Sequence, residues 1–248
     1  MKIMKQSSFQ EIVDSEREMV LQASANYGEY FKFAMDSSMF LEKFIKSINV
    51  ECFVFAFFLS QIKKHHTLAL LSAVRLHHTQ TAMNLRQVIE ASSCAAYAIA
   101  NPEAFTKKRK GEIIFVKSEN LKNKIYTWLD INYHNKSEEI KKIKNLINSS
   151  SAHSNLVDAH RNCKPDYEKG GFKYLFFDIK NDLHAKGDLW LAGNLAMGLG
   201  DLIYGVNKDY KGLVFSADYI NMMSGLEKQN NILKKEALNN PRLQKFSQ

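Results

Sequence analysis

Two stretches of the chain carry residue types and spacings suited to chemistry. Arg86 and Glu90 stand four apart, the interval that pairs opposite charges along one helix face. They belong to a longer series, Ser72, Arg75, Thr79, Arg86, Glu90, Ser93 and Tyr97, which one continuous helix would gather into a narrow polar arc. Leu71, Val74, Leu85, Val88, Ile89 and Ile99 fall on a different, apolar face. The small residues of Ala91-Ser92-Ser93-Cys94-Ala95-Ala96 suit close helix contact. Two readings of the arc stand open, a partly buried polar seam and a solvated stripe. In a seam, Arg86 must keep its carboxylate, because an unpaired buried charge is costly. The second stretch is Ser149-Ser150-Ser151-Ala152-His153-Ser154-Asn155, followed by His160-Arg161-Asn162. Serine hydroxyls compete for backbone groups in helix interiors, so this run marks a helix end or a specialised site. His153, among serine, asparagine and arginine, has the makings of a general base. The plainer alternative is a capped helix start with an incidental histidine.

Other groups point away from metals and nucleotides. His65-His66 and His77-His78 come as pairs, and His66 and His77 on one unbroken helix would lie about 16 Å apart, too far for one ion. The chain contains no HExxH pattern, so structural or surface histidines are expected. Cys52, Cys94 and Cys163 are dispersed, odd in number and without ligand spacing. That predicts no disulfide framework, no bound metal and a reducing, cytoplasmic setting. The glycines of Gly193–Gly200 are followed by Asp201-Leu202 rather than Lys-Ser/Thr, so they form no phosphate loop, and close helix packing is their expected role. No cofactor is implied.

Helices must position these residues. Neither glycine nor proline occurs between Gly28 and Pro102, which predicts long helices. Ser8-Phe9-Gln10-Glu11 has the form of a capping box and starts the first. Asp36-Ser37-Ser38 predicts a cap or kink before a helix over 39–48. From Val50 the pattern reads as two helices to Ala100, with a break near His65-His66-Thr67. A basic connector follows Pro102, then helices near 119–131 and 137–149. Loops follow at Cys163-Lys164-Pro165 and Gly170-Gly171. Phe172–Phe177 reads as a short extended strand, half of a hairpin. Helices near 182–206 and 216–238 complete the chain. The expected fold is an all-α helical bundle with a short extended or hairpin element near 172–177. Residues 1–48 would form an N-terminal helical segment and 49–248 the main helical domain.

Composition sets the remaining bounds. With 248 residues, 45% of them hydrophobic, the chain can bury a sizeable core. Its first eight residues lack the apolar core of a signal peptide. The apolar run 50–59 is too short to cross a membrane. The run 189–206 is interrupted by Asn194, Asp201 and four glycines, so a buried helix is expected there and no membrane partner. The net charge is +8, and residues 101–150 hold eleven Lys and Arg against six Asp and Glu. Lys107, Lys108, Arg109 and Lys110 open that segment. It suits either neutralisation of nucleic-acid phosphates or a solvated lysine-rich surface.

The segment Leu85-Arg86-Gln87-Val88-Ile89-Glu90, late in a long helix, precedes Ser151-Ala152-His153-Ser154 by some sixty residues. Over about residues 55–205 this resembles a family of uncharacterised bacterial helical proteins. Their pattern is an Arg-x-x-x-Glu helix, a Ser-x-His segment, a short extended piece and a final helix. That family is similar in layout to HEPN domains, many of which are homodimeric, metal-independent ribonucleases of toxin–antitoxin and antiphage systems. Their site is Arg-x4-6-His, with the two copies meeting across the dimer. His153 matches the histidine, but Asn148 stands where the shortest spacing puts arginine, and no arginine here precedes a histidine at the required interval. The resemblance therefore implies one of two things. The first is a ribonuclease in which His153 takes the ribose 2′-hydroxyl proton and Arg86, paired with Glu90, or Arg161 stabilises the phosphate. The second is a non-catalytic homodimeric interaction module whose basic segment faces nucleic acid, with a protein partner encoded nearby. Apart from the resemblance, a small-molecule enzyme using the Arg86–Glu90 seam is a third reading.

Overall fold

The computed structural model describes residues 8–109, 112–116, 118–150, 156–167 and 170–239. His153 and Lys110 lie outside them. The chain is an all-α helical bundle with three short two-stranded ladders among the described residues.

Helix α1 (Phe9–Leu21) begins as its sequence predicts: the Ser8 hydroxyl accepts from Glu11 N at 3.2 Å, and Ser8 N donates to a Glu11 carboxylate oxygen at 2.7 Å. Helix α2 (Ala23–Lys43) passes straight through Asp36-Ser37-Ser38. There Ser37 is buried and bonds back to the Ala34 carbonyl, and Asp36 accepts from Gln229. The kink falls instead at Gly28, whose φ of 51° suits glycine because no Cβ opposes it. The helix stops short of residue 48, since strand β1 (Ile45–Ile48) pairs antiparallel with β6 (Leu213–Phe215). That partner lies far along the chain, and local periodicity does not register it.

Helices α3 (Phe53–Val74) and α4 (His78–Ala100) pack on one another as a hairpin. Their break lies ten residues beyond the expected His65–Thr67. The reason is a left-handed Leu76, φ 58°. Leu76 N bonds Ala73 O at 3.2 Å and His77 N bonds Ser72 O at 2.9 Å, the paired bonds of a Schellman end. A left-handed leucine costs about 1–2 kcal/mol. Asp178 offsets this: its N–H donates to Leu76 O at 2.9 Å and its Oδ2 accepts from His78 N at 2.7 Å. Ser72, in α3, and Arg75, its C-cap, consequently leave the predicted polar arc.

The basic connector forms a hairpin, β2 (Thr106–Arg109) with β3 (Glu112–Phe115). Helices α5 (Lys122–Asn132), α6 (His134–Ser150) and α7 (Leu156–Arg161) follow. Then β4 (Cys163–Asp166), over residues expected to form a loop, pairs with β5 (Gly171–Tyr174), the extended element expected near 172–177, which ends at Tyr174. Helix α8 (Asp182–Tyr210) runs through the centre of the core, and α9 (Tyr219–Leu238) closes against α2.

Leu189, Ala192, Ala196, Leu199 and Ile203 of α8 are buried in one cluster with Phe33 and Phe40 of α2 and Leu85 and Val88 of α4. Residues of the N-terminal segment and of the main helical domain thus share one core. Gly193 and Gly200 lie against the rings of Phe33 and Phe40, and a Cβ at Gly200 would meet the Phe40 ring at 2.5 Å. Small residues here let buried rings approach the helix backbone. Among the described residues α8 is the one helix long and apolar enough to cross a membrane, yet over half of that stretch is buried within the protein, as befits a core helix.

Candidate functional site

The α3–α4 turn, the start of α8 and the segment after α7 converge on one polar cleft. His78, the first residue of α4, places Nδ1 2.8 Å from Oδ2 of Asp188. Asp188 is only 7% exposed. His184, one turn earlier on α8, sets its ring centroid 5.9 Å from that of His78. Arg161, Asp178 and Asn181 line the same cleft, whose free volume of about 20 Å³ admits one water-sized group, so a larger ligand would meet the cluster at its surface, where about a fifth of the His78 side chain is exposed. Burial pushes the Asp188 carboxyl up, while its bond to His78 pulls the other way. Burial, then Arg161 and His78, hold His184 below the usual histidine range, which favours its neutral form. With Nδ1 of His78 engaged by Asp188, Nε2 is the nitrogen left for another group. This is the arrangement by which a carboxylate fixes an imidazole's tautomer and orientation.

The scaffold of the cleft is a set of long-range bonds. Besides capping His78, Asp178 accepts from the Asn162 side chain at 3.0 Å. Ile179 N donates to Arg161 O at 2.9 Å and Leu175 N to Asn162 O at 2.8 Å. Asn181 caps α8 through Leu183 N at 3.1 Å. Beside the cleft, Glu16 of α1 receives Arg75 at 3.2 Å and His77 at 3.0 Å. The His77 ring also packs against Phe176 and Phe177.

The residues singled out from sequence fall into three places. Arg161 belongs to the His78 cleft. Arg86 and Glu90 form a second cluster: Arg86 Nε is 3.3 Å from Glu90 Oε1, and Lys144 Nζ reaches the same oxygen at 3.3 Å. Lys144 also donates to the Tyr126 hydroxyl at 2.9 Å. Arg86 and Glu90 are each about one-third exposed, which makes the seam half-buried. Eight residues separate Arg86 from His78, about 12 Å along α4. Lys107 and Arg109 are exposed on β2, beyond the far end of α4, a helix about 34 Å long. The Lys108 backbone pairs with Ile113 in the same ladder. His153, expected as the base, and Lys110 are outside the described residues.

His78, His184, Asp178 and Asp188 are not legible as a site from sequence. A signal exists: His184 and Asp188 stand four apart at the head of an apolar helix, where a buried acid needs a partner. The partner, His78, lies more than a hundred residues away and sits at a helix start only because of the displaced break. Among the described residues no group of three or more His, Cys, Asp or Glu side chains is arranged to hold a metal ion. Compared with known proteins, the chain matches no family model, no curated protein and no solved structure.

Proposed function

We propose that the chain is a HEPN-like protein of an RNA-linked pathway, and that the His78–His184–Arg161 cleft cleaves RNA phosphodiesters by acid–base catalysis. The observation that carries this reading is the pair of adjacent imidazoles, one braced by a buried carboxylate, with an arginine lining the same cleft. His184, kept neutral, takes the 2′-hydroxyl proton. The 2′-oxygen attacks phosphorus, the bond from phosphorus to the 5′-oxygen breaks, and His78, as the imidazolium oriented by its bond to Asp188, protonates that leaving oxygen. The products are a 2′,3′-cyclic phosphate and a 5′-hydroxyl. Arg161 offsets the charge that builds on the phosphoryl oxygens, and water exchanges the protons back. His153, eight residues before Arg161, is the candidate that the HEPN resemblance nominates for the base. The same resemblance supports a homodimeric, defence-linked setting with a protein partner encoded nearby, and the dispersed cysteines support a cytoplasmic one.

The test is cleavage of an end-labelled RNA in the presence of a chelator. His78→Ala and His184→Ala should each lower the rate at least a hundredfold, and Asp188→Asn should lower it through the His78 tautomer. If both histidine variants cleave at the wild-type rate while His153→Ala does not, the cleft is not the site and the base is His153.

One observation favours a second reading. Lys107 and Arg109 project from a hairpin at the opposite end of α4 from the cleft, and Asp178 and Asp188 place negative charge where a phosphate would enter. On that reading the chain is a homodimeric module that binds RNA without cutting it. Salt-sensitive binding that disappears in Lys107→Ala/Arg109→Ala, with no cleavage by wild type, would establish it over the nuclease.

A further inference from the structure

Helices α2 and α9 leave a groove between them with a free volume of about 260 Å³, and it shares no residue with the His78 cleft. Phe40 and Leu226, both almost fully buried, line it together with Met39 and Met222. Methionine thioethers adapt their shape to whatever apolar group lies against them. Gly225 lines the groove from the α9 side. Glycine weakens a helix interior, and neither backbone nor packing calls for it here. Its φ is not positive, and a Cβ would meet nothing within 4 Å. The missing side chain leaves the groove open.

One end of the groove holds acceptors that lack donors. Asp36 Oδ2 accepts from Gln229 Nε2 at 2.7 Å. Although the chain carries a net charge of +8, no described lysine, arginine or histidine forms an ion pair with Asp36. Gln229 Oε1 is buried with no donor at all. A bare buried acceptor is costly, and an ionised carboxylate takes more than one hydrogen bond. A primary ammonium brings three N–H donors and no acceptor. That suffices for Asp36 and, with a turn of the Gln229 amide about its soft terminal torsion, for Oε1. Lys43 lines the far end, two turns along α2 and about 10.5 Å from Asp36 on the helix axis. It repels a second positive charge there and offers a partner to a carboxylate.

We propose that the α2–α9 groove binds a small primary ammonium ligand with an apolar body, the ammonium on Asp36 and Gln229 and the body against Met39, Met222 and Leu226. The proposal is independent of the phosphodiester reading of the cleft. An apolar lining with a few placed polar groups is the usual make-up of a small-molecule site, and the groove divides in that way along its length. Two sources share this chemistry, a free amine and an amino acid, and they differ in the carboxylate that Lys43 would meet.

The experiment titrates the full chain, isotopically labelled at its methionine methyl groups, with phenethylammonium. Methyl NMR locates the ligand and calorimetry gives its affinity. A dissociation constant of about 1 mM or below is expected for a ligand of this size. The largest shifts should fall on Met39 and Met222, each assigned by its Leu variant. Phenethyl alcohol, the same body without the charge, should bind about tenfold more weakly or worse. Asp36→Asn keeps an oxygen for Gln229 and removes the charge, so it should erase the preference for the amine. Gly225→Leu should block both ligands while leaving the helix intact, since leucine is the better helix former; circular dichroism verifies the fold of each variant. Phenylalanine binding more tightly than phenethylammonium, with the gain lost in Lys43→Met, supports the site with an amino acid as its source. Phenylalanine binding more weakly supports it with a free amine. Equal affinity for amine and alcohol in wild type overturns the proposal, as does an Asp36→Asn variant that keeps the preference. So do shifts centred on methionines outside the groove, unchanged binding in Gly225→Leu, or no binding by wild type at about 10 mM amine.

Discussion

Lowering the pH should destabilise this fold through His66, and the size of the effect follows from its surroundings. His66 of α3 has no solvent exposure. Its Nε2 lies 3.2 Å from the Ala192 carbonyl of α8, and its Nδ1 is buried with no hydrogen-bond partner. Burial lowers its pKa from 6.5 to about 4, a shift that the bond to Ala192 only partly opposes. The folded value lies below the unfolded one, so the unfolded chain takes up the proton more readily. Stability is therefore full above pH 6.5, begins to fall below it, and has lost the whole contribution once the pH passes below 4. At about 1.36 kcal/mol per pKa unit the full loss is about 3 kcal/mol, a large share of a typical domain's stability. His66→Gln isolates the effect, because glutamine keeps an N–H donor near Ala192 and does not titrate. Urea unfolding followed by circular dichroism between pH 8 and pH 4.5 is the assay. Wild type should lose about 2.5 kcal/mol more than His66→Gln over that range. Parallel pH profiles for the two proteins would refute the reasoning, since the remaining titrating groups are common to both.

Three further outcomes are expected. Gly200→Ala should lower stability by about 1–3 kcal/mol, read as a fall in Tm, because the new methyl meets the fully buried Phe40 ring and neither can yield cheaply. Asp178→Ala should cost about 1–2 kcal/mol, the scale of a lost helix cap, since it frees both the His78 N–H and the Asn162 amide; Asp178→Asn should recover part of it. Cys94 should resist iodoacetamide at pH 8 in the native protein and react in urea, as mass spectrometry would read. Burial and then Glu90 push its thiol up to about 12, against the pull of Lys144, and only the thiolate is nucleophilic.

Much of the fold is legible in the sequence because its signals are local. The Ser8–Glu11 capping box and the apolar spacing of α8 and α9 depend on near neighbours, and those helices stand where the pattern puts them; the glycine-free stretch from 29 to 101 does hold long helices, but their ends lie elsewhere. The misplacements share one cause. The α3–α4 break depends on Asp178 supporting a left-handed Leu76, β1 depends on β6, and the straight course of α2 through Ser37 depends on core packing. Asp178 and β6 lie far along the chain from the residues they control, whereas Ser37 is also held by its bond to Ala34 O within its own turn. The candidate site follows the same rule. Arg86 and Glu90, four apart, are visible from spacing and do pair. His78 and Asp188 are not, because a contact between two helices leaves no periodicity in either.

The placement of Asp178 has a consequence for how the cleft works. One residue supports the carbonyl of Leu76, caps the α4 terminus that carries His78, and holds Asn162 next to Arg161. The strained turn, the imidazole and the arginine therefore share a single brace, and the β4–β5 hairpin hangs from the same segment. The hairpin root and the turn that orients His78 are therefore braced by the same side chain. Asp178→Ala should accordingly loosen both, read as faster amide hydrogen exchange at His77, whose N–H bonds Ser72 O, and at Leu175, whose N–H bonds Asn162 O. Faster exchange at one of these amides with the other unchanged would mean that the hairpin and the turn behave independently.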